Sequence, residues 1–383
     1  MTYPVAQRHL RAPRGARLAD RAAVTAEHLA FLAAHLTARD RWLARVLHEH
    51  RVFTSTQLTR LAFDSTRTAN QRLLQLHQWR VIDRFQPFLD VGAAPMHYVL
   101  DLAGAAVLAA EDGLAPAAVG YRHDRAVGIG HSLRLAHTVG VNGLYTALVA
   151  LARHTIKPGQ AAGALGERAV TAWWPEARCA RLWGDLARPD AYGRWRENDA
   201  EIEFFLEYDT GTESLTRVAG KLHDYHHLAA ATAITTPVLF WFPTPAREAA
   251  ARQALAATLA ALQRPESVPV ATTTTTAQPT AAPRAGRTQA APDSPAGARW
   301  LTLDPSRRPT THGTQSDQRV RLAHLTWPHT GPGSPGIHTR PGRAGEPAPT
   351  PGPVPGAPGL AAPEPMPPAV LPAYLTRAAR DGR

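Results

Sequence analysis

The stretch Glu201-Ile-Glu-Phe-Phe-Leu-Glu-Tyr-Asp209 reads as a β-strand with two unlike faces. Alternation places Glu201, Glu203, Phe205, Glu207 and Asp209 on one side, and Ile202, Phe204, Leu206 and Tyr208 on the other. Ionised carboxylates at the end of so apolar a strand are costly unless they are paired or bound to a metal. Upstream, Pro189-Asp190 sits at the end of a short strand-like run within Leu182 to Trp195. A hairpin of the two runs brings Asp190 beside Glu207 and Asp209. These three acids make an all-oxygen set for a hard cation such as Mg²⁺. Lys221 follows on a helix-patterned stretch. Of 42 basic residues, only Lys157 and Lys221 are lysines. A lysine kept against that bias points to a compact, protonatable charge; chance is the alternative.

Working outward, residues 129–277 alternate helical and strand patterns. A helix runs from Ile129 to about Arg153, and Ala169-Val-Thr-Ala-Trp-Trp174 is a first strand. Residues 184–195 and 200–209 form the second and third. Leu215 to Ala231 is a helix, Pro237 to Phe242 a fully apolar strand, and Pro245 opens another helix. Val268 to Thr275 adds a last strand. The order resembles the restriction-endonuclease-like core of the PD-(D/E)XK superfamily, in which Pro-Asp on one strand and an acid, a spacer and a lysine on the next form the site. Pro189-Asp190 matches the first half and Glu207-Tyr208-Asp209 the second. Asp209 stands where that lysine would be, a role that falls to Lys221 on the next helix. Glu167 is a candidate extra acid.

Residues 25–112 read as a smaller module. Thr37 caps a helix to about His50, and Thr54-Ser-Thr-Gln57 resembles a capping box. Asp64-Ser65 starts a third helix, to about Trp79. Leu73, Leu76 and Trp79 face its core; Arg67, Asn70, Gln71, Arg72 and Gln75 cluster opposite, with side chains able to read base edges in a major groove. Two strands follow, Val81–Phe85 and Met96–Leu100, and then a helix from Leu102 to Glu111. The pattern looks like a winged helix-turn-helix domain. A helical module that docks protein is the alternative.

The fold class expected is therefore α/β (α+β), with a winged helix-turn-helix ahead of a nuclease-like domain. Residues 1–24 form a flexible basic arm, 113–128 a connector, 278–297 a low-complexity loop and 298–326 a strand with a basic segment. The Pro-rich stretch 327–383 cannot bury enough apolar area to order itself. The formal net charge is +11. It favours a polyanionic partner, double-stranded DNA being the simplest, with solubility as the alternative role. One cysteine, Cys179, excludes an internal disulfide and fits a reducing cytosol. No apolar run approaches the length of a membrane span, so a cytoplasmic protein is expected. His223 and His227 share a helix face but lack a third metal ligand. His131 and His137 do not share a face cleanly. A P-loop and a dinucleotide fingerprint are both missing.

Six runs together resemble the replication-relaxation family: Leu36–Leu43, His97–Leu100, His137-Thr-Val-Gly-Val-Asn142, Arg188–Ala191, Phe204–Glu213 and Lys221-Leu-His-Asp-Tyr225. That family belongs to bacterial plasmids and integrated mobile elements, mainly of Gram-positive bacteria and abundant in actinobacteria. The resemblance implies a role in plasmid replication, relaxation or transfer. The main reading is a DNA-binding accessory protein beside a relaxase or replication initiator, its nuclease-like domain non-catalytic. The alternative is a Mg²⁺-dependent endonuclease or nickase using Asp190, Glu207 and Lys221. A transcriptional regulator is a third.

Overall fold

The computed structural model describes residues 9–11, 23–89, 92–115, 120–153, 168–232, 234–275, 294–303 and 318–327. Glu167, Lys157, nearly all of the basic arm, most of the 278–297 loop and residues 328–383 lie outside them. Among the described residues the chain is α/β. A short strand β1 (Leu10–Arg11) precedes α1 (Ala26–His35) and α2 (Ala38–His50). Then come β2 (Phe53–Thr54), α3 (Ser55–Ala62), α4 (Thr66–Gln78), β3 (Ile82–Phe85), β4 (Phe88–Leu89), β5 (His97–Leu100) and α5 (Leu102–Glu111).

The helix starts follow from local chemistry. Asp40 accepts the Thr37 N–H at 2.8 Å while Thr37 Oγ1 accepts the Asp40 N–H at 3.3 Å. Thr54 and Gln57 reciprocate in the same way at 2.9 and 3.2 Å. Each box satisfies two amide donors that a helix start leaves orphaned. Ser65 caps α4 and Asp101 caps α5. β5 lies between β2 and β3 in a three-stranded antiparallel sheet.

The second half contains α6 (His123–Gly128), α7 (Leu135–Arg153), β6 (Arg168–Pro175), α8 (Glu176–Trp183), β7 (Ala191–Glu197), β8 (Ala200–Tyr208), α9 (Leu215–Thr232), β9 (Val238–Phe242), α10 (Pro245–Ala261), β10 (Val270–Thr274) and β11 (Leu301–Leu303). Its six strands lie in the order β11-β10-β9-β8-β7-β6. β6, β7 and β8 form an antiparallel meander, β8, β9 and β10 run parallel, and β11 returns antiparallel. The β8 alternation is as expected. Ile202, Phe204 and Leu206 join the core that holds α7 and the N-terminal helices; Phe205 joins the one that holds α9 and α10.

Three expectations are corrected. The run from Leu182 is strand only from Ala191 onward. Its first two residues close α8, whose buried Cys179 and Trp183 stand four apart on one helical face. Asp190 accordingly precedes β7 and does not end it. Secondly, α7, with 19 residues, is long and apolar enough to cross a membrane, with a mean hydropathy of 1.4 over an 18-residue window, but 78% of that window is buried against the sheet and α3. Thirdly, Trp327 is no part of a loose tail: it is buried, and its indole N–H donates to Val270 O at 2.9 Å.

Candidate functional site

Antiparallel pairing of β7 with β8 sets Ala191 opposite Leu206, so the start of β7 lies beside the end of β8. That register brings Asp190 next to Glu207. Asp190 Oδ2 accepts the Tyr208 N–H at 2.8 Å and lies 3.0 Å from His137 Nε2, on the first turn of α7. Glu207 turns to α9: Lys221 Nζ donates to its Oε2 at 2.7 Å, and the Tyr225 hydroxyl donates to its Oε1. Lys221 and Tyr225 are four residues apart, hence on one helix face. Lys221 is also 3.5 Å from Glu213. Asp190 and Glu207 are both buried.

α7 reaches this place because of Gly140. A Cβ there would stand 2.4 Å from the Tyr208 ring, closer than atoms tolerate. The glycine lets helix and strand end approach, and Tyr208 meets His137 edge to face with ring centroids 5.9 Å apart.

Burial and pairing compete in these groups. Burial pushes the Glu207 carboxyl up, to about 7, against the attraction of Lys221, and the Asp190 charge adds to the rise. For Asp190 burial also pushes up, but His137 and Lys221 outweigh it and the carboxyl is held low. Burial would lower His137; the Asp190 carboxylate outweighs it, and His137 is raised. Lys221 is raised likewise, Glu207 and Asp190 overcoming its burial. The cluster is thus a set of protein acids held by protein cations.

The expected metal triad is corrected at Asp209. Strand alternation does aim it to the α9/α10 side, but Arg247 of α10 donates to its Oδ2 at 2.7 Å, and Gly211 N–H to its Oδ1 at 2.8 Å. Arg247 also ties down Glu213 O. Of the other two acids, Asp190 spends Oδ2 on Tyr208 and His137, and Glu207 spends both oxygens on Lys221 and Tyr225. Among the described residues no group of three His, Cys, Asp or Glu side chains stands ready for a metal. As arranged, these residues do not fit the Mg²⁺ site expected of them. His223 and His227 gather no third ligand either.

The polar face of α4 is also corrected. Arg67, Asn70, Gln71, Leu74 and Gln78 are exposed, along one helical stripe. Arg72 and Gln75 are not on it. Arg72 Nε donates to Asp40 Oδ1 at 3.0 Å, Nη2 to Asp40 Oδ2, and Nη1 to the Gln75 side chain. The guanidinium also lies over the Trp79 ring at 5.0 Å. Arg72 is a brace between α4 and α2.

Sequence reasoning set His137 aside and gave no site role to Tyr225, Arg247 or Gly140. Tyr225 was within reach, since its spacing from Lys221 is helical. His137 and Gly140 act through residues some fifty to seventy positions away, and only the folded register shows it. Residues 45–240, just over half of the chain, match the replication-relaxation family. Neither a curated protein nor a solved structure matches the chain.

Proposed function

Since the chain belongs to the replication-relaxation family, we propose that it serves plasmid or mobile-element replication, relaxation or transfer as a DNA-binding accessory protein. In this reading α2, α3, α4 and the small sheet act as a winged helix-turn-helix. α4 enters the major groove of double-stranded DNA and offers Arg67, Asn70 and Gln71 to base edges and phosphates. The observation that carries it is the exposed polar stripe on α4, on a helix whose other side is locked by Leu73, Leu76 and the Arg72–Asp40 pair. The net charge of +11 supports an anionic partner.

The sheet module is the nuclease-like half, used as a platform beside a relaxase or replication initiator. Its acids are paired with His137, Lys221 and Arg247, and Tyr225 donates a hydrogen bond to Glu207, which favours a bracing role over hydrolysis. Two measurements test this. Titration of a fluorescein-labelled duplex should show binding that weakens steeply with salt and is reduced in Arg67→Ala/Gln71→Ala. No duplex binding at low salt refutes the proposal. Supercoiled plasmid incubated with the protein and Mg²⁺ or Mn²⁺ should stay supercoiled. Nicking that disappears in Asp190→Ala would replace the accessory reading with the endonuclease one.

A further inference from the structure

Between the N-terminal helices and the large sheet lies a cavity of about 440 Å³. That volume is in the range of small-molecule sites, which favour boundaries between structural units. One wall is α3, the chain at Ala93–Pro95 and His97 of β5; the facing wall is α7, with Tyr208 and Trp241 from the sheet. Leu10 and Leu89, neighbours in the β1–β4 pair, also line it.

Gly143 on α7 helps keep the space open. A glycine inside a helix costs about 1 kcal/mol against alanine. Gly140 has a packing reason to be glycine, but Gly143 has none: a Cβ there would meet only Gln57 Nε2, at an ordinary 3.5 Å. A larger side chain at this position would project into the cavity.

The lining is mostly apolar, with Val139, Leu144 and Trp241 prominent, and a few polar groups converge on it. Arg60 is exposed, so its guanidinium belongs to the mouth. Thr56, next to the start of α3, is exposed beside it. His97 Nδ1 donates to Pro95 O at 2.8 Å, which leaves Nε2 as an acceptor. Burial lowers this histidine to about 4, so the ring is neutral. An apolar chamber with Arg60, the one arginine or lysine among its described lining residues, at its entrance suits an apolar body carrying one acidic group.

We propose that this cavity is a binding site for a small organic acid, its apolar body against Val139, Leu144 and Trp241 and its acidic group at Arg60. The site is independent of the DNA-binding reading. It touches the acid–base cluster through Tyr208, whose backbone N–H holds Asp190.

The test uses two fluorescent probes of similar shape and different charge, 1-anilinonaphthalene-8-sulfonate and the uncharged N-phenyl-1-naphthylamine, titrated into the full chain. Both should bind saturably, one per chain. Gly143→Leu, which fills the chamber, should weaken both at least about tenfold. Thr56→Trp, an exposed change at the mouth, should do the same and serves if Gly143→Leu fails to fold by circular dichroism. Arg60→Ala should weaken the sulfonate about tenfold and leave the uncharged probe within about twofold. Unsaturable binding, or binding that neither Gly143→Leu nor Thr56→Trp alters, overturns the site. Equal losses of both probes in Arg60→Ala overturn the acidic ligand.

Discussion

Arg67 and Arg72 lie five residues apart on α4, and substituting each by alanine should have opposite consequences. Asp40 is fully buried, with Arg72 as its guanidinium partner through two hydrogen bonds. Breaking a buried ion pair by removing one member typically costs about 3–5 kcal/mol. Two features reduce that here. Asp40 keeps the Thr37 N–H and hydroxyl at 2.8 and 2.7 Å, and the Arg72 side chain is 22% exposed, so water can reach the gap. Loss of the contact over Trp79 adds about 0.5–1 kcal/mol. Arg72→Ala should therefore destabilise the fold by about 2–4 kcal/mol. Arg67 is exposed, and Arg67→Ala should change stability by no more than about 0.5 kcal/mol. In duplex binding, Arg67→Ala should cost about 1–3 kcal/mol. Urea unfolding at neutral pH measures the first quantity and duplex titration well below the midpoint the second. Arg72→Lys should recover little stability, because an ammonium cannot span both carboxylate oxygens. The reasoning fails if Arg72→Ala unfolds like the unmodified chain and loses DNA affinity, for then Arg72 faces DNA and Asp40 needs no partner.

Gly140→Ala should destabilise by about 1–3 kcal/mol through overpacking, because its Cβ would fall 2.4 Å from the Tyr208 ring. Tyr208→Ala in the same chain should recover part of that loss in urea unfolding, whereas simple additivity would mean that the helix is strained for another reason. The cluster also predicts a pH dependence. Glu207 and His137 are both raised in the folded chain, so the fold holds their protons more tightly than the unfolded chain does. Their contributions are complete at low pH and lost on raising it, for Glu207 from 4.5 through about 7, for His137 from 6.5 upward. Asp190, held low, has the opposite sign, and its contribution is already complete in the neutral range. The melting temperature should fall from about pH 4.5 through pH 7, and Glu207→Gln should flatten that fall; an unchanged slope over this range in Glu207→Gln would contradict the assignment.

What was legible in the sequence is what local chemistry determines. The Thr37 cap, the Thr54 box, the helix start at Ser65 and the two faces of β8 depend on residues a few positions apart, and each is found as expected. The misread segment shows where that stops. Leu182 and Trp183 look like strand residues until Cys179, one helical turn earlier, is seen buried beside them. The site divides in the same way. The neighbourhood of Asp190, Glu207 and Lys221 follows from a hairpin and the helix after it. That Asp209 is taken by Arg247, Asp190 shared by His137, and Arg72 drawn in by Asp40 depends on contacts 32 to 53 residues apart in sequence. Charge pattern alone does not tell an arginine that reaches outward from one that braces a neighbouring helix.

Long-range contacts also decide how the two halves relate. The run His137-Thr-Val-Gly-Val-Asn142 carries three joints on two turns of α7. His137 meets Asp190 at the sheet end, Gly140 admits Tyr208, and Asn142 binds back to the N-terminal half. Its side chain contacts His50 Nδ1 at 2.9 Å and donates to His50 O and Val52 O. Gln57, after reciprocating with Thr54, donates to Val139 O at 2.8 Å, and Arg178 of α8 pairs with Glu49 of α2. One continuous core takes in Leu43, Phe53 and Leu58 from the N-terminal half and Trp173, Trp195 and Leu206 from the sheet. Buried polar joints that are satisfied only in one register specify an orientation more sharply than apolar contact does. The exposed stripe of α4 is therefore presented at a fixed angle to the sheet. Whatever engages that stripe also meets the surface around the acid–base cluster in a set geometry, because the joints of α7 fix one to the other.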